Sequence, residues 1–508
     1  MGAPLAVATA VKGLGVLAVA LSAAGVFLLP SARQRAACAL VALALMPLLL
    51  LAELWNDPQI SHLRHHPAQL GAAAVGGLVL VALGAALFDR RPDAFPVAAV
   101  AALPFRLPLA TTSGGSANLL VPLYVVVGAG TAAYAWRRLR PHARAHAGDG
   151  NGGGHIDEIW RERRPGRLEL ALLAFVVLYA LQSLYSADFE QALKNTVFFY
   201  VPFALLLKLL TTVAWSRRIL VVCAAVTAGL ALTFAGVGFV EYATRHLLWN
   251  HKVIESNEFQ TYFRVNSLFF DPNIYGRYLA MAMIVLGGVL LWAQRRRDVI
   301  AFSVALAVLL AGIVLSFSQS SFAALLVGLG VLAAPGLVHL NYTSSHGVNR
   351  ASSGRVDLIR GGVSMFGARP LWGYGSGSFA KRYREREKAS SQQAASASHT
   401  IPLTVAAEQG VLGFAAYVLV LVAAFTTLFA GVGRLGDRAP PWRSLARAIV
   451  AAAFAGLVLH TFLYAAFLED PITWTLLALG LVLSAPASSP TLLAQPSSAR
   501  TQTRSSTP

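Results

Sequence analysis

The sequence predicts an all-α polytopic membrane protein, and three observations carry that prediction. Of 508 residues, 56% are hydrophobic and only 13% are charged, where a soluble chain carries roughly 25% charged residues. Apolar runs of about twenty residues, the length that crosses a bilayer as a helix, recur along the whole chain. These runs show no strand-like alternation, and lipid accepts only segments whose backbone groups are satisfied within a helix or a closed barrel.

The runs fall near 13–30, 36–53, 70–88, 94–110, 118–136, 168–185, 195–213, 218–240, 274–293, 299–338, 401–431, 445–467 and 472–486. The first is not a signal peptide: Lys12 is its one early charge, and Arg33 and Arg35 follow directly. If that run stops short of spanning, about 12 transmembrane helices remain, with both chain ends inside. Basic connections at 33–35, 89–93, 137–167, 216–218, 295–298 and 434–443 belong in the cytoplasm. Weakly charged or acidic connections near Glu53, Ser113, Asp188, 241–271 and Glu469–Asp470 fall between them.

That alternation requires 299–338 to cross once. A straight helix of that length is about 60 Å long, roughly twice the hydrocarbon core. It is therefore expected to break near Ser316–Ser321, with part of it at the interface or re-entering. The resulting organisation is a transmembrane bundle over 1–340, with a Gly-rich cytoplasmic linker at 137–167 and a periplasmic segment at 241–273. One large periplasmic loop follows at 341–400, between spans near 338 and 401. C-terminal helices occupy 401–486. A cytoplasmic tail, 487–508, is rich in Ser, Thr, Pro and Gln and is expected to be disordered.

Composition also excludes some chemistries. Cys38 and Cys223 both sit in apolar runs, so no disulfide framework or cysteine metal site is implied. The histidines are scattered without metal-site spacing. Much of the net charge of +18 lies in short inter-helix loops, where it orients the protein and attracts anionic headgroups rather than nucleic acid.

The 341–400 loop is the basic exception on the outer side, where Lys and Arg are normally scarce. An anionic, lipid-anchored substrate would explain it. Five places can carry the chemistry. Asp271-Pro272 is a helix-start signal, Asp as cap and Pro at the first helical position. It turns a helix N-terminus outward, which favours phosphate, with Asn273 beside the cap, Arg264 shortly before it and Arg277 one turn inside. Arg355 and Arg360 flank a stretch with amphipathic spacing and suit bidentate phosphate contacts. Lys381 to Lys388 interleaves Glu385 and Glu387 and reads as an exposed helix with internal ion pairs. Gly373 to Phe379, with Gly375 at its centre, is a Gly-rich loop able to turn N–H groups toward a phosphate, or a simple turn. His399, at the mouth of the next helix, suits a general base near neutral pH. Arg106, within an apolar run, is costly there; it serves a site or snorkels to the interface, with Glu241 or Asp271 as candidate partners. Lys194, Lys208, His460, Glu469 and Asp470 are further membrane-edge candidates.

Taken in order, Arg264…Phe270-Asp271-Pro272-Asn273, Leu315-Ser316-Phe317-Ser318-Gln319-Ser320, Gly354-Arg355, Pro370-Leu371-Trp372-Gly373-Tyr374-Gly375, and His399 with Glu408-Gln409-Gly410-Val411-Leu412-Gly413 resemble the O-antigen ligase and polymerase family of bacterial envelope glycosyltransferases. Family members typically show Ser-Arg at Ser318-Gln319 and His-Asn at His399-Thr400. The resemblance implies a multi-pass protein of the bacterial inner membrane with its site facing the periplasm. It implies a donor glycan on undecaprenyl diphosphate and, for a ligase, a lipid A–core acceptor. The family's essential arginines and histidine carry over onto Arg264, Arg355 and His399.

The chemistry fits those residue types. A lipid diphosphate leaves as an anion and needs charge stabilisation; Arg264 and Arg355 would supply it, with Arg277, Arg106 and Arg360 as further candidates. An acceptor hydroxyl is a weak nucleophile and gains from a base, His399. Attack in line at the anomeric carbon inverts it. No glycosidase-type carboxylate pair is evident, and the activated donor implies no metal, nucleotide or other cofactor. A polymerase, a protein O-oligosaccharyltransferase and, from another class, an anionic-lipid transporter or flippase remain open on these residues.

Overall fold

The structure, a computed structural model, describes residues 2–54, 67–110, 116–140, 164–248, 253–254, 257, 262–333, 355–387, 401–430, 441–464 and 466–484. Residues 141–163 of the expected linker, loop residues 341–354 and 388–400, His399 among them, and the 487–508 tail lie outside the described residues.

The apolar runs fold into long helices packed along one another. An N-terminal group comprises α1 (Gly2–Leu28), α2 (Ala32–Leu54), α3 (Pro67–Arg90) and α5 (Val121–Leu139). Between α3 and α5 lies the short α4 (Ala94–Ala102). The middle of the chain gives α6 (Arg167–Ser183), then α7 (Phe189–Asn195), a π-helical turn at Thr196–Tyr200 and α8 (Val201–Thr212). Every residue of α8 is buried, as expected of a helix apolar around its whole circumference. There follow α9 (Arg217–Thr244), α10 (Pro272–Leu290), α11 (Arg296–Ser316), α12 (Gln319–Ala333), α13 (Arg355–Ala368), α14 (Phe379–Glu387), α15 (Ile401–Phe429), α16 (Pro441–Leu463) and α17 (Pro471–Ser484). Eight helical stretches among the described residues are long and apolar enough to cross a membrane, while α12 and α17 are shorter apolar helices. The chain is thus an all-α, multi-pass membrane protein, with one pair of antiparallel strands among the described residues.

That strand pair corrects one expected span. The run 94–110 does not stay helical: α4 ends at Ala102, and β1 (Leu107–Ala110) pairs antiparallel with β2 (Ser116–Leu119). Pro104 and Pro108 are the cause, since proline removes the helical N–H and pushes the preceding residue out of the α region. Arg106 therefore sits on irregular backbone between helix and strand. Such backbone is tolerated at membrane depth where protein surrounds it or it lines a cavity.

The break expected near Ser316–Ser321 is present. Phe317 has a left-handed φ of 50° and ends α11. Glycine approaches give the directions of the two halves. Gly312 lies against Leu279 while Gly276 meets Ser316, so α11 runs antiparallel to α10. Gly276 meets Ser321, and Gly328 meets Ile284, so α12 turns back and runs parallel to α10. The second half thus re-enters the bundle along α10. α13 lies at the bundle end where α10 begins: its Gly362 packs on Leu403, in the first turn of α15.

Candidate functional site

Several polar elements converge at that end of the bundle. Asp271 caps α10 as its sequence predicts, its Oδ1 accepting from Asn273 N at 2.6 Å with Pro272 in the first turn. The preceding segment is held by Glu241, whose carboxylate accepts from the backbone N–H groups of Leu248, Asn266 and Ser267 at 3.2, 3.2 and 2.7 Å. Glu241 is thereby engaged locally and is not the partner of Arg106. Arg264 Nε donates to the Ser316 carbonyl at 3.1 Å. A guanidinium at a helix C-terminus meets the negative end of its dipole, so Arg264 closes α11 at the break. Beyond the break, Ser318 Oγ bonds Ser321 Oγ at 2.7 Å, Ser320 Oγ bonds His460 Nε2 at 3.2 Å, and Ser321 Oγ reaches the Asn273 carbonyl at 3.4 Å. This polar seam ties α10, α12 and α16 together; Gln319, between the serines, faces outward.

Two arginines meet the turn between α16 and α17. Arg277 Nη2 lies 2.6 Å from Asp470 Oδ2, and the two side chains are 1% and 2% exposed. Arg106 is near the same turn and feels Asp470, Arg277 and Tyr464, but among the described residues it makes no hydrogen bond or ion pair. Glu469 faces Arg106 electrostatically. Burial pushes the Glu469 carboxyl up to about 7, with Arg106 pulling it back down.

The Gly-rich loop is pinned rather than open. Gly377 N and Phe379 N donate to the Glu408 carboxylate at 2.8 and 2.9 Å, and Gly375 N donates to its carbonyl at 2.8 Å. Ser186 Oγ donates to the Ser376 carbonyl at 2.7 Å, and Gln182 Nε2 to the Gln409 carbonyl at 3.0 Å. Gly375 has φ 93°, and a Cβ there would collide with the backbone of Ser186. Gly410, at φ 64°, kinks α15 where the Pro370–Leu371 backbone crosses it, and Val411 N donates to the Pro370 carbonyl at 2.7 Å. Two of the loop's N–H groups are thus consumed by a protein carboxylate. Arg369 stacks over Tyr374 at 4.8 Å. Arg382 and Glu385 pair at 2.7 Å on α14, the internal ion pairing expected of that helix.

Between these elements lies a cavity of about 40 Å³, lined by α6, the π-helical turn, the first half of α15 and the α16–α17 turn. Tyr179, Tyr200, Thr404, Glu408, Gln409 and Glu469 give it its polar character. Glu408 and Gln409, buried within an otherwise apolar helix, and Glu469 at a membrane edge are the sequence signals that pointed here. The partners from α6 and the π-helical turn carried none.

The sequence-singled residues distribute as follows. Arg106, Arg277, Asp271, Asn273 and Arg264 share this end of the bundle, and Gly375 is part of its wall. Arg355 and Arg360 belong to α13, but their side chains lie outside the described set, as does His399. Lys194 pairs with Glu190 at 2.5 Å, and Lys208 lies 5.3 Å from the ring of Phe27, both away from the cavity lining. Among the described residues no group of three or more His, Cys, Asp or Glu is placed to hold a metal ion.

Residues 276–418 match the family model described as O-antigen ligase. That stretch is similar to the O-antigen ligase family. That segment opens in the first turns of α10, takes in Arg277, the Phe317 break, α13, the pinned loop and Glu408, and closes in α15. Arg106, Arg264, Glu469 and Asp470 lie outside it in sequence and beside it in space. No curated protein matches the chain.

Proposed function

We propose that this protein transfers a glycan from undecaprenyl diphosphate to a hydroxyl of lipid A–core oligosaccharide, with the site at the periplasmic face of the inner membrane. The observation that carries the reading is Arg106. It lies largely buried at the end of the bundle where the stretch similar to O-antigen ligases begins, without a hydrogen bond among the described residues and in the electrostatic field of Arg277 in the second turn of α10. A diphosphate supplies the charge and acceptor atoms such a guanidinium lacks.

In this reading Arg106 and Arg264 hold the diphosphate, joined by Arg355 and Arg360 of α13. Arg277 is committed to Asp470 and contributes position and field rather than a free hand. His399 takes the proton of the acceptor hydroxyl. The acceptor oxygen bonds to the anomeric carbon from the face opposite the phosphate, the C–O bond to phosphate breaks, and the diphosphate leaves as an anion stabilised by the arginines. The configuration inverts.

The test uses purified protein in detergent with lipid-linked glycan and lipid A–core, without ATP or divalent metal, alongside His399→Ala. Glycan-bearing lipopolysaccharide from the wild type and none from the variant, with donor binding retained, is the expected result. Longer glycan on the donor lipid would make the protein a polymerase. Product from His399→Ala would remove the histidine from the mechanism. Donor movement across vesicles without transfer would make it a transporter.

A further inference from the structure

The cavity between α6, the π-helical turn, α15 and the α16–α17 turn has a hydrogen-bonding inventory that the diphosphate reading leaves unused. Two carboxylates line it. Both oxygens of Glu408 already accept, from the N–H groups of Gly377 and Phe379. Those of Glu469 do not: among the described residues it makes no hydrogen bond or ion pair. Gln409 is 1% exposed and lines the cavity, and its Oε1 has no hydrogen-bond partner; Tyr417, also 1% exposed and also lining it, has an unpartnered hydroxyl. Buried polar atoms left this way cost stability unless a ligand or water completes them.

The inventory selects the ligand. A free carboxylate and a free amide oxygen accept hydrogen bonds, so the occupant must donate them. A diphosphate has acceptor oxygens and few protons to give, so these acceptors do not suit the donor's diphosphate. Four rings, Phe175, Tyr179, Tyr200 and Phe467, share the remaining wall with Ile401, Thr404, Val405 and Leu468, and the Tyr179 and Tyr200 rings stand edge-on at 4.6 Å. Rings beside fixed acceptors suit a sugar edge, whose C–H face is apolar and whose hydroxyls donate. At about 40 Å³ the enclosed part holds roughly three water-sized groups, enough for the hydroxyl-bearing edge of one ring and not for a whole oligosaccharide. Position agrees as well. Glu469 looks into the cavity while its neighbour Asp470 turns to Arg277, so cavity and arginine cluster share one turn. Ile401, second after His399 in the chain, lines the same cavity. Burial raises the Glu469 carboxyl toward neutrality, consistent with a group that gains from a hydroxyl partner.

We infer that this cavity is the acceptor subsite, in which Glu469 and Gln409 accept hydrogen bonds from hydroxyls of the lipid A–core sugar while the arginine side holds the donor. The inference rests on the transferase reading above and adds to it where the acceptor binds.

The experiment places a cysteine at the cavity, Ile401→Cys, in a chain carrying Cys38→Ala and Cys223→Ala, and follows maleimide labelling. Lipid A–core alone is expected to slow labelling several-fold, and Glu469→Gln to abolish that protection. In steady-state transfer, Glu469→Gln raises the acceptor KM about tenfold or more, the loss of one hydrogen bond to a charged group, with donor KM and kcat little changed. Tyr417→Phe raises acceptor KM less, and it keeps the test alive if Glu469→Gln folds poorly. Transfer without protection by lipid A–core overturns the subsite and leaves the transferase reading standing. Equal protection by undecaprenyl diphosphate alone also overturns it. If the wild type transfers nothing, the transferase reading falls by itself, and the labelling still decides whether the cavity takes a sugar edge.

Discussion

Arg277 and Arg106 stand near the same turn and have opposite fates. Arg277 is sealed against Asp470 with both side chains almost wholly buried. Arg106 shares the field of that turn, is largely buried and makes no such bond. A buried ion pair holds elements together, here the start of α10 and the α16–α17 turn, and its charge is already answered within the protein. A guanidinium on irregular backbone without a hydrogen bond among the described residues keeps its donors for something else. Charge alone does not mark a binding residue; the state of its hydrogen bonds does.

The comparison breaks most visibly at the sealed pair. Asp470→Asn leaves Arg277 as an uncompensated charge in the bundle and is expected to cost about 3–5 kcal/mol. Thermal denaturation in detergent should show it as a large drop, and an unchanged midpoint would mean that the pair is not what joins α10 to the turn. Next comes Glu408→Gln, which sets an amide against two N–H donors at Gly377 and Phe379. The loss is about 1–3 kcal/mol, and limited proteolysis should find new cleavage within 369–379. Arg106→Ala is expected to leave the melting midpoint almost unmoved and to raise donor KM about tenfold, with Arg106→Lys recovering only part because the planar fork is gone. A large stability loss in Arg106→Ala would place it with Arg277 instead.

The smallest effect is pH dependence. With its carboxyl raised to about 7, Glu469 is partly neutral in mildly acidic buffer and ionises as pH rises through that value. The groups that share its surroundings are Arg106, Glu408, Tyr179 and Tyr200. Only the ionised form accepts from several hydroxyls at once, so acceptor KM should fall a few-fold from about pH 6 to about pH 8. The slope should vanish in Glu469→Gln. A slope that persists there belongs to another group.

Much of the fold was legible locally. Asp271-Pro272 announced the start of α10 because capping is chemistry between adjacent residues. The serine run at 316–321 announced the break because no straight helix of that length fits a bilayer. The span at 94–110 was misread because hydropathy outvoted two prolines. At the site, Arg106, Arg264 and Arg277 stood out as charges in or beside apolar sequence, whereas Gln182, Tyr179 and Tyr200 look like ordinary core residues of amphipathic or buried helices. They matter only because α6 and the π-helical turn face α15.

By itself, then, the sequence determined the all-helical membrane class, the caps and breaks of the helices, and the inventory of arginines and carboxylates, since each follows from local hydropathy or from the chemistry of neighbouring residues. The tertiary structure alone decided that Arg277 is spent on Asp470, that Glu408 is spent on the Gly-rich loop, and that Arg106 and Glu469 are not. Those outcomes depend on which helix ends meet across the bundle, and partners far apart in the chain leave no trace in the periodicity of either segment.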